Sequence, residues 1–320
     1  MRKTRFLFFS LIFALLIVSS CQKEDPVFES EELVNYVEAV VDVGSLHSYI
    51  SAPDLLTLIG DGNAPYIIDI RKGTHYNNPG HIPGAVNVAP KDILAHVQAN
   101  VGSMNDDIVV VCYSGQSAAF CTSLLKLAGY SNAKSLLYGM TSWNPACDSW
   151  TNSTSPYYAN FLENTSNDKP SEGDLPDIST GFDNGEDILL SRIGSVLTSG
   201  FGAYSIDATI VTDYPDNYFI VNYWPTSDYL NPGHITGAYN YVPGQSLTTS
   251  TDLKTLPTDK IIVVYCSTGQ NSAFIAAYLG TLGYNVKSLK SGANSMFHGD
   301  LPTNNWTEDN INDYNLAGAK

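Results

Sequence analysis

The sequence predicts an α/β fold made of two related domains, each a mainly parallel sheet flanked by helices. Two observations lead to this prediction. A set of motifs occurs twice, at an offset of about 153 residues, and within each copy short apolar segments alternate with segments of helical periodicity. The 320 residues, 43% of them hydrophobic, are enough for two domains with cores of their own.

The repeat is clearest in three motifs that keep their order and spacing. A period this long indicates duplicated domains rather than a solenoid of small units. The matched pairs are Pro79–Ala85 (PGHIPGA) with Pro232–Ala238 (PGHITGA), Val110–Gln116 (VVCYSGQ) with Val264–Gln270 (VYCSTGQ), and Leu127–Tyr130 (LAGY) with Thr281–Tyr284 (TLGY).

Each copy contains three apolar segments that are typical of buried strands, because they are short, rich in β-branched residues and bounded by turn residues. A helical pattern follows the second strand of each copy, and a further helix precedes each copy. The predicted strands are Pro65–Ile70, Asp107–Val111 and Lys134–Leu137, then Asn217–Asn222, Lys260–Tyr265 and Val286–Leu289. The predicted helices are Glu31–Val41, Ser117–Leu127, Glu186–Leu197 and Asn271–Leu282.

The N-terminus has the pattern of an export signal. Arg2, Lys3 and Arg5 precede the apolar run Phe6–Val18, which is too short to span a membrane comfortably. The small residues before Cys21 resemble the lipobox of bacterial lipoproteins, which implies acylation of Cys21; a plain secretory signal is the alternative. Because no Asp follows Cys21 directly, we expect a lipid-anchored location in the cell envelope, at the outer membrane, with the leaflet undetermined.

These features divide the chain into six predicted segments. Residues 1–20 are expected to form the signal peptide and 21–44 the acylated N-terminus with its leading helix. The first domain is expected over 45–150 and the second, with its leading helix, over 186–305. A polar linker is expected over 151–185, where Ser, Thr, Asn, Asp and Gly predominate, and a C-terminal tail over 306–320.

The chain carries a formal charge of -16, which disfavours binding to nucleic acid or to anionic lipid. We therefore expect membrane contact through the lipid anchor only. The expected partners are small molecules.

Cys112 and Cys266 occupy matching positions, each between a predicted strand and a predicted helix. Gly115 and Gly269, three residues after each cysteine, would allow the backbone to curl so that its N–H groups meet the sulfur. Together with the helix N-terminus, these donors favour a thiolate, which is the nucleophilic form. A buried structural cysteine is the alternative, but a matched pair argues against it.

These motifs resemble the rhodanese family. The resemblance rests on Asp69-Ile70-Arg71, on the Gly80–Ala85 and Gly233–Ala238 segments and on the two cysteine loops, and it covers most of both copies. It implies two rhodanese-like domains, no cofactor, and a sulfurtransferase that carries sulfur from a small anion such as thiosulfate to a thiol or other acceptor as a cysteine persulfide. By this resemblance the substrate-binding loops are Tyr113, Ser114, Gly115, Gln116, Ser117 and Ala118 in the first copy and Ser267, Thr268, Gly269, Gln270, Asn271 and Ser272 in the second.

The loops also depart from the family pattern. Many members carry Arg at the first and at the fifth position after the cysteine. Both loops here are neutral. Asp69 and Arg71 are expected to brace the first loop, and the second copy has Asn222 and Trp224 instead. We therefore expect Cys112 to be the better catalyst by a small margin. A non-catalytic binding module is the alternative function.

Related chemistries are disfavoured by single residues. Phosphatases with a cysteine loop need Arg six residues after the cysteine, where this chain has Ala118 and Ser272. A zinc site is not expected, since the chain has no Cys-x-x-Cys pair.

The remaining cysteines and the repeated histidines are interpreted as structural. Cys121 is expected to be a core thiol, and a disulfide between Cys121 and Cys147 is left open. His81 and His234 are expected to support turns rather than to react.

Overall fold

The computed structural model describes residues 28–156, 162–301 and 305–318. The predicted signal peptide and the lipidation site Cys21 lie outside these residues. Within the described ranges, no helix combines the length and the apolar character needed to cross a membrane.

The first domain is a five-stranded sheet with helices on both faces. Its strand order is β1-β5-β4-β2-β3, and every pair of neighbours is parallel. Its elements are α1 (Glu29–Val40), β1 (Tyr49–Ile50), α2 (Ala52–Gly60), β2 (Tyr66–Asp69), α3 (Gly73–Asn77), β3 (Val86–Asn87), α4 (Ile93–Asn100), β4 (Ile108–Val111), α5 (Gln116–Leu127) and β5 (Ala133–Leu136).

The second domain repeats this arrangement. Its five-stranded sheet is also wholly parallel, with the order β10-β8-β11-β12-β7, and it matches the first sheet strand for strand. Its elements are β6 (Leu162–Glu163), α6 (Gly185–Ala203), β7 (Ser205–Ile206), α7 (Ala208–Asp213), β8 (Tyr218–Asn222), α8 (Thr226–Leu230), β9 (His234–Ile235), β10 (Tyr239–Asn240), β11 (Ile261–Tyr265), α9 (Gln270–Thr281), β12 (Val286–Leu289) and α10 (Asn294–Phe297). The predicted α/β fold class is confirmed.

The central strands explain why the apolar segments are continuous. All four residues of β4 are buried, as are the last four of β11, because helices cover both faces of each sheet. The strands that sequence did not predict have two residues each and so show no periodicity; they are β1, β3, β6, β7, β9 and β10. The helix α6 extends beyond its predicted end to Ala203, with a non-helical residue at Gly200.

The two domains share one large apolar core. The helices α5 and α9 pack against each other at its centre, as do α1 and α6. Ser123 Oγ donates a hydrogen bond to the Phe274 carbonyl oxygen at 2.9 Å across the α5–α9 contact. Each domain also has a smaller cluster on the far face of its own sheet.

Two glutamines cross the domain interface in opposite directions. Gln116, at the start of α5, accepts a hydrogen bond from Ser291 N at its Oε1 atom (3.0 Å). Gln270, at the start of α9, accepts one from Tyr138 N in the same way (3.1 Å). The two residues that donate these N–H groups have a positive φ, 59° at Tyr138 and 56° at Ser291. This conformation turns the N–H groups away from the strands. The two cysteine loops are thus held by each other's domain.

Glycine makes this crossing possible. A Cβ atom on Gly115 would lie 2.1 Å from Gln270 Nε2, and one on Gly269 would lie 2.0 Å from Gln116 Nε2. Both glycines have a positive φ, 87° and 77°. The repeated Gly-Gln pair therefore serves the interface as well as the cysteine loop.

The segment that follows each domain also contacts the other domain. Strand β6, which follows the first domain, pairs antiparallel with β9 of the second, with Glu163 opposite His234. Near the C-terminus, Ala317 forms an antiparallel bridge with His81 of the first domain. Trp143 Nε1 donates to the Asn315 carbonyl oxygen at 3.0 Å. The segments expected to be a polar linker and a C-terminal tail therefore each pack, in part, on the other domain.

Substitution of Gly115 by Ala is expected to destabilise the folded protein by about 1 to 3 kcal/mol more than Gly62→Ala. Both glycines have a positive φ, so both substitutions carry backbone strain, but nothing lies within 4 Å of a Cβ on Gly62. Urea unfolding measures the difference. Gln270→Ala added to Gly115→Ala should relieve the clash, so the double variant should be more stable than the sum of the two single effects predicts. Equal losses for Gly115→Ala and Gly62→Ala would contradict the proposed contact.

Candidate active site

The two cysteines lie at the carboxyl ends of β4 and β11, directly before the N-termini of α5 and α9. Cys112 Sγ accepts hydrogen bonds from Gly115 N at 3.2 Å and Ala118 N at 3.3 Å. Both donors belong to backbone that the positive φ of Gly115 curls around the sulfur.

Cys266 has the same surroundings in the second domain. Its Sγ accepts from Gly269 N at 3.1 Å and from Ser272 N at 3.4 Å, and Ser272 Oγ lies 3.8 Å away. Backbone donors that point at a sulfur at a helix N-terminus stabilise negative charge on it. The geometry suits a thiolate or a persulfide anion at either position.

The other residues of the first predicted loop divide into two groups. Tyr113 and Ser114 use their carbonyl oxygens, which accept from Thr141 N at 3.1 Å and Trp150 Nε1 at 3.1 Å. Ser117 is half-buried beside the sulfur, and Gln116 is directed across the interface. Gln116 therefore supports the loop rather than lying free to bind a substrate.

The second loop is also fixed by its backbone. The Ser267 carbonyl oxygen accepts from Asn294 Nδ2 at 2.7 Å, and Thr268 Oγ1 accepts from Gln270 N at 3.3 Å. The hydroxyl of Tyr49, from the first domain, donates to Asn271 Oδ1. The first domain thereby reaches the second cysteine loop through a side chain as well as through the interface backbone.

Asp69 and Arg71 form a buried ion pair next to the first loop. Arg71 Nη2 lies 2.6 Å from Asp69 Oδ2 and donates to the Gly80 carbonyl oxygen at 2.7 Å. The guanidinium also stacks over the Tyr113 ring at 5.0 Å. Its hydrogen bonds to Asp69 and Gly80 fix Arg71 in a bracing position. In the second domain, Asn222 Nδ2 donates to Tyr265 Oη at 2.9 Å in place of the ion pair.

A cavity of about 280 Å³ opens beside Cys266. It lies between the domains, because Tyr49 and Tyr138 of the first domain line it together with residues of the second. The motifs in the sequence favour Cys112 as the better catalyst, whereas this cavity gives Cys266 space for a substrate. The further lining residues that matter for its chemistry are Trp224, Asp228 and Asn271.

Sequence reasoning did not identify Tyr49, Tyr138, Trp224 or Asp228 as site residues. For the last two, a signal was present in the repeat. Trp224 and Asp228 stand where the first copy has Arg71 and His75, so the two copies differ in charge beside their cysteines. Tyr49 and Tyr138 come from the other domain, which no local pattern indicates.

The other cysteines and the histidines lie outside the sulfur cradles. Cys121 and Cys147 are both free and belong to clusters on opposite faces of the first sheet. The ring of His81 stacks on Tyr76 with centroids 3.6 Å apart, and that of His234 stacks on Tyr229 at 3.5 Å. These contacts match a structural function at the repeated turn.

Burial raises the pKa of the Cys112 thiol, in spite of the two backbone donors that act in the opposite direction. A raised thiol pKa leaves the neutral form dominant at neutral pH. Alkylation of Cys112 by iodoacetamide should therefore be slow near neutrality and should still accelerate between about pH 8 and pH 10. Peptide mapping of the Cys266→Ser variant measures the rate, with a cysteine-containing peptide as control. A plateau below about pH 8 would contradict the neutral thiol.

Comparison with known proteins identifies relatives of both copies. The rhodanese-like domain family matches residues 51–146 and 212–296. The thiosulfate sulfurtransferase GlpE of Shewanella oneidensis is 35% identical over 91 residues, which is 28% of this chain and 87% of that protein. The putative sulfur carrier protein YrkF of Bacillus subtilis is 29% identical over 77 residues, 24% of this chain and 40% of that protein.

A solved structure, the thiosulfate sulfurtransferase of Pseudomonas aeruginosa, is 18% identical with a TM-score of 0.32 and aligns with 88% of this chain. This chain spans 49% of that protein and 40% of YrkF. The family matches in both halves, together with the duplicated parallel sheets, lead to one conclusion: the chain belongs to the rhodanese-like domain family and contains two such domains in tandem.

Proposed function

We propose that the protein is a sulfurtransferase that carries sulfane sulfur as a persulfide on Cys266. The observation that carries this proposal is the position of Cys266, whose sulfur accepts two backbone N–H groups and whose side chain lines the interdomain cavity. A nucleophile, anion stabilisation and space for a substrate thus meet at one atom.

The reaction has two half-reactions. The Cys266 thiolate attacks the outer sulfur of a donor, a new S–S bond forms, and the donor's bond to that sulfur breaks. The leaving group takes the bonding electron pair; with thiosulfate it would leave as sulfite. An acceptor thiolate then attacks the outer sulfur of the persulfide, and Cys266 leaves as a thiolate. No external oxidant or cofactor is required.

Cys112 is the less favoured carrier. The Tyr113 next to it lies under the braced Arg71, whereas Cys266 lines the interdomain cavity. These features favour the competing function for the first domain, a binding or supporting module without catalysis. The first domain contributes in either case, since Tyr49 and Tyr138 complete the cavity.

The cellular location is part of the proposal and is supported by sequence alone. The basic residues, short apolar run and small residues before Cys21 favour export followed by acylation of Cys21. The sulfur acceptor would then be a thiol or other nucleophile in the cell envelope.

The Cys266→Ser variant is expected to lose transfer of sulfur from donor to acceptor, because the variant lacks the attacking sulfur. Cys112→Ser should keep most of the transfer. Mass mapping of the protein without residues 1–20, after exposure to thiosulfate or an organic persulfide, should find one added sulfur atom on the Cys266 peptide.

Cys121→Ser is the matched control, since Cys121 is a buried thiol of the core outside both sulfur cradles. Added sulfur and turnover that depend on Cys112 alone would contradict the assignment to Cys266. No added sulfur on either cysteine from any donor would contradict the enzyme and favour the binding module.

A further inference from the structure

Among the residues that the structure describes, a single charged side chain lines the cavity beside Cys266, and it is acidic. Of its lining residues, Asp228 is the one charged side chain; the described residues place no Lys, Arg or His on its walls. Asp228 is half-buried on α8, at the side of the cavity formed by the second domain. An anionic donor would enter without a counter-charge and would be repelled by this carboxylate.

The walls are aromatic. Tyr49 and Tyr138 come from the first domain, and Tyr223 and Trp224 from the second. Aromatic rings attract cations and pack well against apolar groups, whereas they do not replace the hydration of an anion. The wall composition and the carboxylate thus favour the same class of ligand.

One wall residue also has an unused donor. Trp224 is almost fully buried, and its indole Nε1 has no hydrogen-bond partner among the described residues. A buried donor without a partner is costly, and an acceptor of any charge would relieve that cost.

The first domain provides the contrast. At the positions that match Trp224 and Asp228 it has Arg71 and His75, both of which contact the Tyr113 ring beside Cys112. The first copy thus has two basic residues near its cysteine where the second copy has an aromatic and an acidic residue. The two cysteine sites differ in charge although their sulfur cradles are alike.

From these observations we infer that the Cys266 site takes an organic persulfide whose organic end is uncharged or cationic, and that it discriminates against thiosulfate and carboxylate-bearing donors. The inference rests on the proposed function. The Cys266 thiolate attacks the outer sulfur of R–S–SH, the S–S bond of the donor breaks, and R–S⁻ leaves with the bonding pair while the hydrogen stays on the transferred sulfur.

The test compares donors that share the persulfide group and differ at one end. 2-Aminoethyl, 2-hydroxyethyl and 2-carboxyethyl persulfide are offered to the Cys112→Ser protein, with thiosulfate as the inorganic reference. The rate of sulfur addition to Cys266 is followed by mass spectrometry. The aminoethyl donor should react faster than the carboxyethyl donor by about tenfold.

Variants of Asp228 assign this preference to its charge. Asp228→Asn should reduce the ratio of aminoethyl to carboxyethyl rates towards one, and Asp228→Lys should reverse it. Asp216→Asn is the matched control, because it removes an exposed carboxylate of the same domain that does not line the cavity. The ratio should be unchanged in this control.

The possible outcomes separate the two proposals. If Cys266 gains sulfur from carboxyethyl persulfide or thiosulfate as fast as from the aminoethyl donor, the inferred substrate class is wrong and the sulfurtransferase stands. A ratio that is the same in Asp228→Asn and in the unaltered protein also overturns the inference. If no donor adds sulfur to Cys266, the proposed function itself fails.

Discussion

The structure depends most on the reciprocal contact between the two cysteine loops. Gln116 and Gln270 each leave their own loop and satisfy a backbone N–H at the end of the other domain's sheet, at Ser291 and Tyr138. Because a side chain at Gly115 or Gly269 would collide with these glutamines, the loops and the interface constrain one another. The cysteine loops are therefore fixed by interactions that neither domain can make alone.

This constraint makes the candidate site a product of both domains. The cavity at Cys266 is closed on one side by Tyr49 and Tyr138, and Tyr138 is also the residue whose N–H binds Gln270. The segments after each domain reinforce the arrangement, since Glu163 pairs with His234 and Ala317 with His81. One domain can thus supply the attacking sulfur while the other shapes the space in front of it.

The sequence predicted the fold class well because each copy combines apolar strands with a helix after the cysteine, and because the copies agree. The central strands were predictable from their continuous apolar residues, which two covered sheet faces require. The short edge strands were not, since two residues show no periodicity. The sequence also placed Cys112 and Cys266 at strand ends, where the sulfur cradles are found.

The cavity could not be predicted in the same way. Tyr49 is distant in sequence from Cys266 and reaches the second loop only through the packing of the domains. The repeated Gly-Gln pair suggested a loop requirement, but its interface function depends on the position of the other domain. The difference between Arg71 and His75 in the first copy and Trp224 and Asp228 in the second was visible in the sequence. Its effect on the site follows only from the cavity, which Trp224 and Asp228 line.

The most direct test of the account is a high-resolution crystal structure of the protein after exposure to an organic persulfide. We expect density for one additional sulfur atom bonded to Cys266 Sγ, beside Gly269 N and Ser272 N. This atom should lie within the cavity bounded by Tyr49, Tyr138 and Trp224. Additional density on Cys112 alone, or an unmodified Cys266 in crystals that transfer sulfur, would contradict it.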